Sequence, residues 1–269
     1  MIKKIKELLT FEVGIVEHCN LNCRGCSHFS PIASPYYMDL DVFKKDIKRL
    51  SELFNGTAEW IHIMGGEPLL HPLCSDFLIE TRRFFPHARI DLITNAILLL
   101  QQPVRFWEIC YQQQIVVKPT RYPISLDFDK IIQTAQLYNV SFRFYNHEDE
   151  GSDKKLSKYI LDPSGHQNQQ YSFDHCAQAN ACITLREGKM YTCPTIPYSL
   201  HFSRYFNIDL PISEEDYTDI YKVSSGEELL CRMATAPPFC RFCDHDSSVH
   251  GMPWGVSKRV SDEWLITSR

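Results

Sequence analysis

The chain has 269 residues, room for one large domain or for one domain with a small appendage. Hydrophobic residues make up 44% and charged residues 23%, and a net charge of −5 speaks against a nucleic-acid groove driven by bulk electrostatics. Eleven cysteines are too many to be incidental core thiols and too sparse for a disulfide-stapled miniprotein.

The opening MIKKIKELLTFEVGIVE is broken by Lys3, Lys4, Lys6 and Glu7, so no signal peptide is expected, and no uncharged apolar run is long enough to span a membrane. The expected compartment is the cytoplasm, where thiols stay reduced. There, many cysteines point to metal or catalysis before disulfides. Phe11–Glu17 reads as a strand and Asp39–Leu53 as a helix, with Leu40, Phe43, Ile47, Leu50 and Leu53 near three- and four-residue spacing. Glu59–Met64 is a second strand, followed by a helix over Leu73–Phe85. Arg89–Thr94 is a third strand, and Leu98–Tyr111 a helix that restarts after Pro103. Gln114–Lys118, Phe128–Tyr138 and Ser141–Tyr145 continue as strand, helix and strand. Repeated strand–helix units imply right-handed crossovers and a parallel sheet, open or curled into a barrel.

The polar stretch Asn146–Tyr171 reads as a linker, with Glu148-Asp149-Glu150 a solvated loop. After it come a hairpin over Ala181–Thr192 turning at Glu187-Gly188, helices near Ser213–Tyr221 and Gly226–Met233, and an irregular tail. The division is an α/β domain over 1–150, a linker over 151–170 and a small α+β appendage over 171–269. Five cysteines precede residue 150 and six follow it.

Cys19, Cys23 and Cys26 stand at C-x3-C-x2-C directly after the first strand, where parallel folds place their chemistry. Three thiolates can wrap one corner of an iron–sulfur cubane and leave the fourth iron open to a substrate or cofactor. The alternative is a structural zinc site that borrows His18 or His28.

With these motifs the sequence resembles the radical S-adenosylmethionine (SAM) superfamily, whose signature matches Cys19, Cys23 and Cys26. The family's second motif is found as Gly65-Gly66-Glu67-Pro68 after the second strand. The resemblance implies a partial (β/α)6 TIM-like barrel, a [4Fe–4S] cluster on the three cysteines, and SAM on the open iron. Glu67 then takes the methionine ammonium. Thr94 and Asn95 contact the ribose, and Lys118, Thr120 and Arg121 the methionine carboxylate or ribose. The family commonly has an aromatic residue before the third cysteine to seat the adenine. Gly25 stands there, so Phe29 or His28 is expected to take its place.

In the appendage, Cys176, Gly188 and Cys193 follow the opening spacing of the family's SPASM and twitch domains, and Cys240-x2-Cys243 closes the set. Too few cysteines remain for two auxiliary clusters, so the resemblance is to the shorter twitch form with one auxiliary [4Fe–4S] cluster; four thiolates holding zinc are the alternative. Cys182 is a substitute for Cys176 as ligand. Cys74, Cys110 and Cys231 read as buried small hydrophobes. A sharper reading makes Cys182 or Cys231 a hydrogen donor at the barrel mouth. His62 reads as packed rather than catalytic, and His71 as packed or able to reach substrate. Arg143, between Phe142 and Phe144, should point into the barrel or against a helix, as a base, a substrate clamp or half of a buried ion pair.

The resemblance implies one-electron reductive cleavage of SAM, with a flavodoxin or ferredoxin as donor, and hydrogen abstraction from a small-molecule substrate, with no nucleic-acid or membrane partner. The first functional expectation is oxidation of a sugar- or sugar-nucleotide-like substrate with the auxiliary cluster as electron acceptor, similar to twitch-bearing dehydrogenases that act on an aminocyclitol. The alternatives are an epimerase quenched by a cysteine thiol, a peptide maturase, and a zinc-stabilised binding module that is no enzyme.

Overall fold

The computed structural model describes residues 6–145 and 155–266. Strand β1 (Thr10–Val16) is followed by α1 (Leu40–Leu53), β2 (Trp60–Gly65), α2 (Cys74–Phe84), β3 (Arg89–Thr94), α3 (Val104–Gln112), β4 (Ile115–Pro119), α4 (Phe128–Leu137) and the short β5 (Ser141–Phe142). All five strands are parallel and pair in sequential order. Phe11, Val13 and Ile15 on β1, Ile61 and Ile63 on β2, and Ile90 and Leu92 on β3 pack with Phe43, Ile47 and Leu50 of α1 and Phe77 and Leu78 of α2. The alternate residues Glu12, His62 and Asp91 face the other way, paired across the sheet, so the inside of the curled sheet is polar. Asp39 caps α1 by accepting from the amides of Asp41 and Val42, and Asp127 caps α4 through Lys130. The arrangement is the α/β partial barrel expected from the strand–helix repeat.

The second half adds β6 (Lys155–Leu161), α5 (Gln169–His175), β7 (Thr184–Arg186), β8 (Lys189–Tyr191), α6 (Thr195–Phe206), β9 (Thr218–Asp219), α7 (Gly226–Met233) and β10 (Cys243–Pro253). The hairpin β7–β8 turns at Glu187 and Gly188, both with positive φ, as expected. Strand β7 runs parallel to β1 on the edge that β2 leaves free, so one eight-stranded sheet crosses the boundary between the two halves. The Glu17 carboxylate accepts from Arg186 Nε at 2.7 Å across that junction. The hairpin turn is also fixed to α1, where Asp46 accepts from the Gly188 amide at 2.7 Å and the Tyr221 hydroxyl at 2.8 Å.

Three local expectations are corrected. The linker contains β6, which pairs antiparallel with β10 in what reads as an irregular tail. In β6 the apolar residues Leu156, Tyr159, Ile160 and Leu161 do not alternate, and β10 is largely polar and exposed, so neither shows the apolar alternation that marks the barrel strands. Instead of a helix over Ser213–Tyr221 there is one turn, Glu214–Asp216, closed by a Ser213–Asp216 capping box, and then β9. Helix α6 carries no such expectation, because it is apolar on most sides and holds Pro197 in its first turn, where a missing N–H costs little. It plugs the barrel. Gly14 is bare where the Tyr198 hydroxyl lies, and a Cβ there would sit 2.2 Å from it. Glu148-Asp149-Glu150 lie outside the described residues. Among the described residues no helix is long and apolar enough to cross a membrane.

Candidate functional site

The loop after β1 carries Cys19, Cys23 and Cys26 to the rim of a cavity of about 370 Å³ at the carboxyl ends of the strands. Gly65, Gly66, Thr94, Asn95 and Thr120 supply further wall from the ends of β2, β3 and β4. Glu12 and His28 line it from inside the barrel, Tyr122, Tyr145 and Tyr159 supply aromatic surface, and Gln178, Cys182 and Pro194 close it from the second half. The three thiols line one cavity rather than converging on one point, and among the described residues no group of three or more His, Cys, Asp or Glu could hold a single metal ion.

N–H groups surround these sulfurs. Leu21 N donates to Cys19 Sγ at 3.3 Å, and Trp254 Nε1 donates to Cys23 Sγ at 3.2 Å. Burial pushes the Cys19 thiol up. Burial also opposes ionisation of Cys26, but the His28 side chain and the backbone amides of His28 and Ser30 outweigh it and hold that thiol below its ordinary value. Three thiols on one open cavity, ringed by donors that stabilise anionic sulfur, fit an iron–sulfur cluster with a free coordination position.

The glycines of the Gly65-Gly66-Glu67-Pro68 turn are required by the fold itself. A Cβ on Gly65 would sit 2.1 Å from the Val16 carbonyl oxygen, and one on Gly66 would sit 2.0 Å from that of His18. Gly66 N donates to Val16 O at 2.7 Å, so the turn is laced to the chain that leads into Cys19. Glu67, expected on the methionine ammonium, is 0% exposed and does not line the cavity. It accepts from Leu69 N at 3.1 Å, Thr94 Oγ1 at 2.7 Å and Asn95 N at 2.8 Å. Burial pushes its carboxyl up to about 7 against those three bonds. Pro68 is buried at the start of a short helical turn.

Other expected contacts divide. Thr94, Asn95 and Thr120 line the cavity, and Asn95 Nδ2 donates to Asn20 Oδ1 at 2.7 Å. Lys118 is held by Asp91 at 3.2 Å, next to His62, which pairs with Asp91 at 3.2 Å. The Arg121 guanidinium lies over the Phe128 and Phe144 rings, away from the cavity. Phe29 is buried against Phe202 and Trp264, so of the two candidates for the adenine only His28 reaches the cavity. Arg143 is exposed and outside the lining, which corrects the expectation of an inward or buried cation. His71 is buried with Nε2 3.0 Å from Met38 O, in a packing role. Cys74 and Cys110 are buried as expected; Cys231 on α7 is half-buried and does not reach the cavity.

Cys176 follows α5, Cys193 follows β8, Cys240 lies in the turn Pro238–Phe242, and Cys243 opens β10. Burial first, and then the neighbouring cysteines of the same set, oppose ionisation of Cys193, Cys240 and Cys243, pushing Cys193 up to about 12. The four lie close enough to influence one another's charge, and Cys176 and Cys240 pack with an apolar patch of Phe173, Ala179 and Ala236. Cys193 and Cys240 are buried and Cys176 and Cys243 half-buried, and since, among the described residues, they do not meet at a point that could hold a single metal ion, the set fits a cluster better than zinc. Cys182 stands between the two groups. It lines the cavity, and after burial its ionisation is opposed by Glu12, Cys193 and Cys176. Trp254, Tyr122 and Glu12 carry no local motif; they reach the site only through tertiary approach.

Residues 13–128 match the family model described as the radical SAM superfamily. This stretch is a radical SAM domain. It takes in the cysteine loop and strands β2 to β4. The fold of the chain is similar to the crystal structure of BtrN in complex with AdoMet and 2-DOIA, at 17% identity and a TM-score of 0.55 over 88% of this chain and 85% of that one. It is also similar to native anSMEcpe with bound AdoMet, at 12% identity and a TM-score of 0.52 over 87% and 82%. No curated protein matches the sequence.

Proposed function

We propose that the chain is a radical SAM enzyme that abstracts a hydrogen atom from a small, carbohydrate-type substrate and oxidises it. The supporting observation is the single cavity lined at once by Cys19, Cys23 and Cys26, by the strand ends Gly65, Gly66, Thr94, Asn95 and Thr120, and by Cys182 and Gln178 from the second half. Cys19, Cys23 and Cys26 would hold a [4Fe–4S] cluster, and Cys176, Cys193, Cys240 and Cys243 a second. When bound, the first cluster with SAM on its open iron supplies a 5′-deoxyadenosyl radical by one-electron cleavage, and the second accepts the electron left on the substrate.

The residues around this chemistry bind and enclose. Gly65 and Gly66 bring backbone to the wall without side chains. Glu67 acts one step back, fixing Thr94 and Asn95 where they face the cavity. Glu12, His28 and Thr120 offer the polar partners that a hydroxyl-rich substrate needs, and the three tyrosines exclude water. A cavity of about 370 Å³ suits a small substrate better than a folded peptide. BtrN was crystallised with 2-DOIA beside AdoMet, a further support for a small polar substrate.

One observation favours a second reading. Cys182 faces the cavity and burial keeps its thiol protonated, as a hydrogen donor in epimerisation requires. Anaerobic reconstitution tests the common core: about eight irons per chain and 5′-deoxyadenosine from SAM and dithionite are expected. Colourless protein with tightly held zinc overturns it. Deuterium from solvent at a product stereocentre selects epimerisation, and its absence with a two-electron-oxidised product selects dehydrogenation.

A further inference from the structure

Glu12 is the only carboxylate among the described residues that line the cavity. It projects from β1 to the inside of the barrel and is 5% exposed. Its bonds use one of its two oxygens: Thr184 Oγ1 donates to Oε1 at 3.0 Å, and His28 Nε2 lies 3.5 Å from the same atom. Among the described residues nothing bonds Oε2. The contact between β1 and β7 has no need of a charge there. A glutamine would accept from Thr184 as well, without the cost of taking a carboxylate out of water. A buried carboxylate with an unused oxygen on a cavity wall suits a ligand group that brings its own hydrogen.

Its position is between the two groups of cysteines. On one side it meets His28, two residues beyond Cys26. On the other, the Thr184 hydroxyl that holds Glu12 lies 3.2 Å from the Cys182 carbonyl oxygen, so one side chain ties the carboxylate to the chain entering β7. After burial, Glu12 is the charge that most opposes ionisation of Cys182, and after burial and Cys176 it adds to that opposition at Cys193. A substrate hydroxyl on Oε2 therefore stands where hydrogen abstraction from the side of the first group and electron transfer to the side of the second group meet.

We propose that Glu12 Oε2 takes the O–H proton of a substrate alcohol whose carbon has lost its hydrogen atom. The proposal rests on the radical SAM reading above and narrows its substrate to a carbon that carries both a hydrogen and a hydroxyl. The C–H bond breaks and its hydrogen atom goes to the 5′-deoxyadenosyl radical. The O–H bond breaks and its proton goes to Glu12. One electron passes to the second cluster and the C–O bond becomes C=O, so the alcohol loses two protons and two electrons in all. The neutral radical holds its electron more tightly than the radical anion does, so loss of the proton is what makes that last electron available.

The test uses reconstituted full chain with SAM and dithionite, offered D-glucose, myo-inositol, D-glucosamine and UDP-glucose as probes, and the variants Glu12→Gln and Glu12→Asp. The wild type should oxidise at least one probe, and the carbonyl formed is read per 5′-deoxyadenosine, a ratio that partial loss of folding or of iron does not change. Glu12→Gln keeps the bond to Thr184 and should lower that ratio about a hundredfold, while Glu12→Asp, which keeps the acid, should stay within about tenfold of wild type. Calorimetry without dithionite supplies a second readout on the wild type alone. The analogue lacking the oxidised hydroxyl should bind at least about tenfold more weakly than the alcohol, because Oε2 is then left without a partner. Equal ratios in wild type and Glu12→Gln, equal binding of the analogue, or 5′-deoxyadenosine formed with no probe oxidised would each overturn the proposal. Reconstituted wild type that makes no 5′-deoxyadenosine would instead sink the radical SAM reading.

Discussion

The two groups of cysteines are built by opposite means. Cys19, Cys23 and Cys26 come from one loop, and the frame around them is closed by backbone: the Gly65–Gly66 turn laced to Val16 and His18, and the strap at Gly255–Ser257 laced to Asn22 and Arg24. Cys176, Cys193 and the Cys240–Cys243 pair come from three separate segments beside a small apolar patch. The first site is framed by backbone, whereas the second joins the β7–β8 hairpin to the β6–β10 pair through side chains, beside the apolar cluster of Leu161, Tyr191, Phe239 and Phe242. Metal at the first should decide chemistry and metal at the second should decide folding as well.

Single substitutions break that comparison most sharply. Cys23→Ala should abolish 5′-deoxyadenosine and remove about half of the iron, with the melting temperature within a few degrees of wild type. Cys240→Ala should remove the other half, leave reductive SAM cleavage measurable, abolish oxidation of the substrate, and lower the melting temperature by well over about 5 °C. Equal losses of stability in both variants, read by calorimetry, would show that neither site has a scaffold of its own.

Cys182 sharpens the comparison because it stands between the two groups. Cys182→Ser should leave iron content and 5′-deoxyadenosine formation near wild type while product formation falls about tenfold or changes identity, since a hydroxyl is a far poorer hydrogen-atom donor than a thiol. Iron analysis decides the alternative: loss of about half of the iron makes Cys182 a ligand in place of Cys176.

What the sequence shows of all this follows from how local each signal is. Strands β1 to β4 and their helices are legible because one face of each is apolar at its own period, as with Phe43, Ile47 and Leu50 on α1. The cysteine loop is legible because three ligands fall within eight residues. Helix α6 escapes because it is buried around most of its circumference, β6 because its apolar residues fall on both faces without alternation, and β10 because it is largely polar and exposed. Trp254 meets Cys23 from 231 residues away, and no spacing announces such an approach. Glu67 is the instructive case: its motif is evident, but its carboxylate points into the protein, because Thr94, Asn95 and Leu69 together offer three donors where the cavity offers open space.

That arrangement makes the frame of the first site sensitive to pH rather than to iron. Burial pushes the Glu67 carboxyl up to about 7, from an ordinary value of 4.5, despite the bonds from Asn95, Thr94 and Leu69. Between those values the folded chain keeps a proton that the unfolded chain has released. This group's contribution to stability is therefore full below about 4.5 and is lost as pH rises towards about 7, with a slope of at most about 1.4 kcal/mol per pH unit. Glu67→Gln keeps the shape and removes the titration, at a cost of about 1 kcal/mol where the new amide N–H faces a donor. Urea unfolding of the two proteins at pH 5, 6 and 7 reads the difference. The wild type should lose stability relative to the variant as pH rises through this window. A constant difference would mean that Glu67 ionises as freely in the fold as in the unfolded chain, and that its three donors, not its burial, govern it.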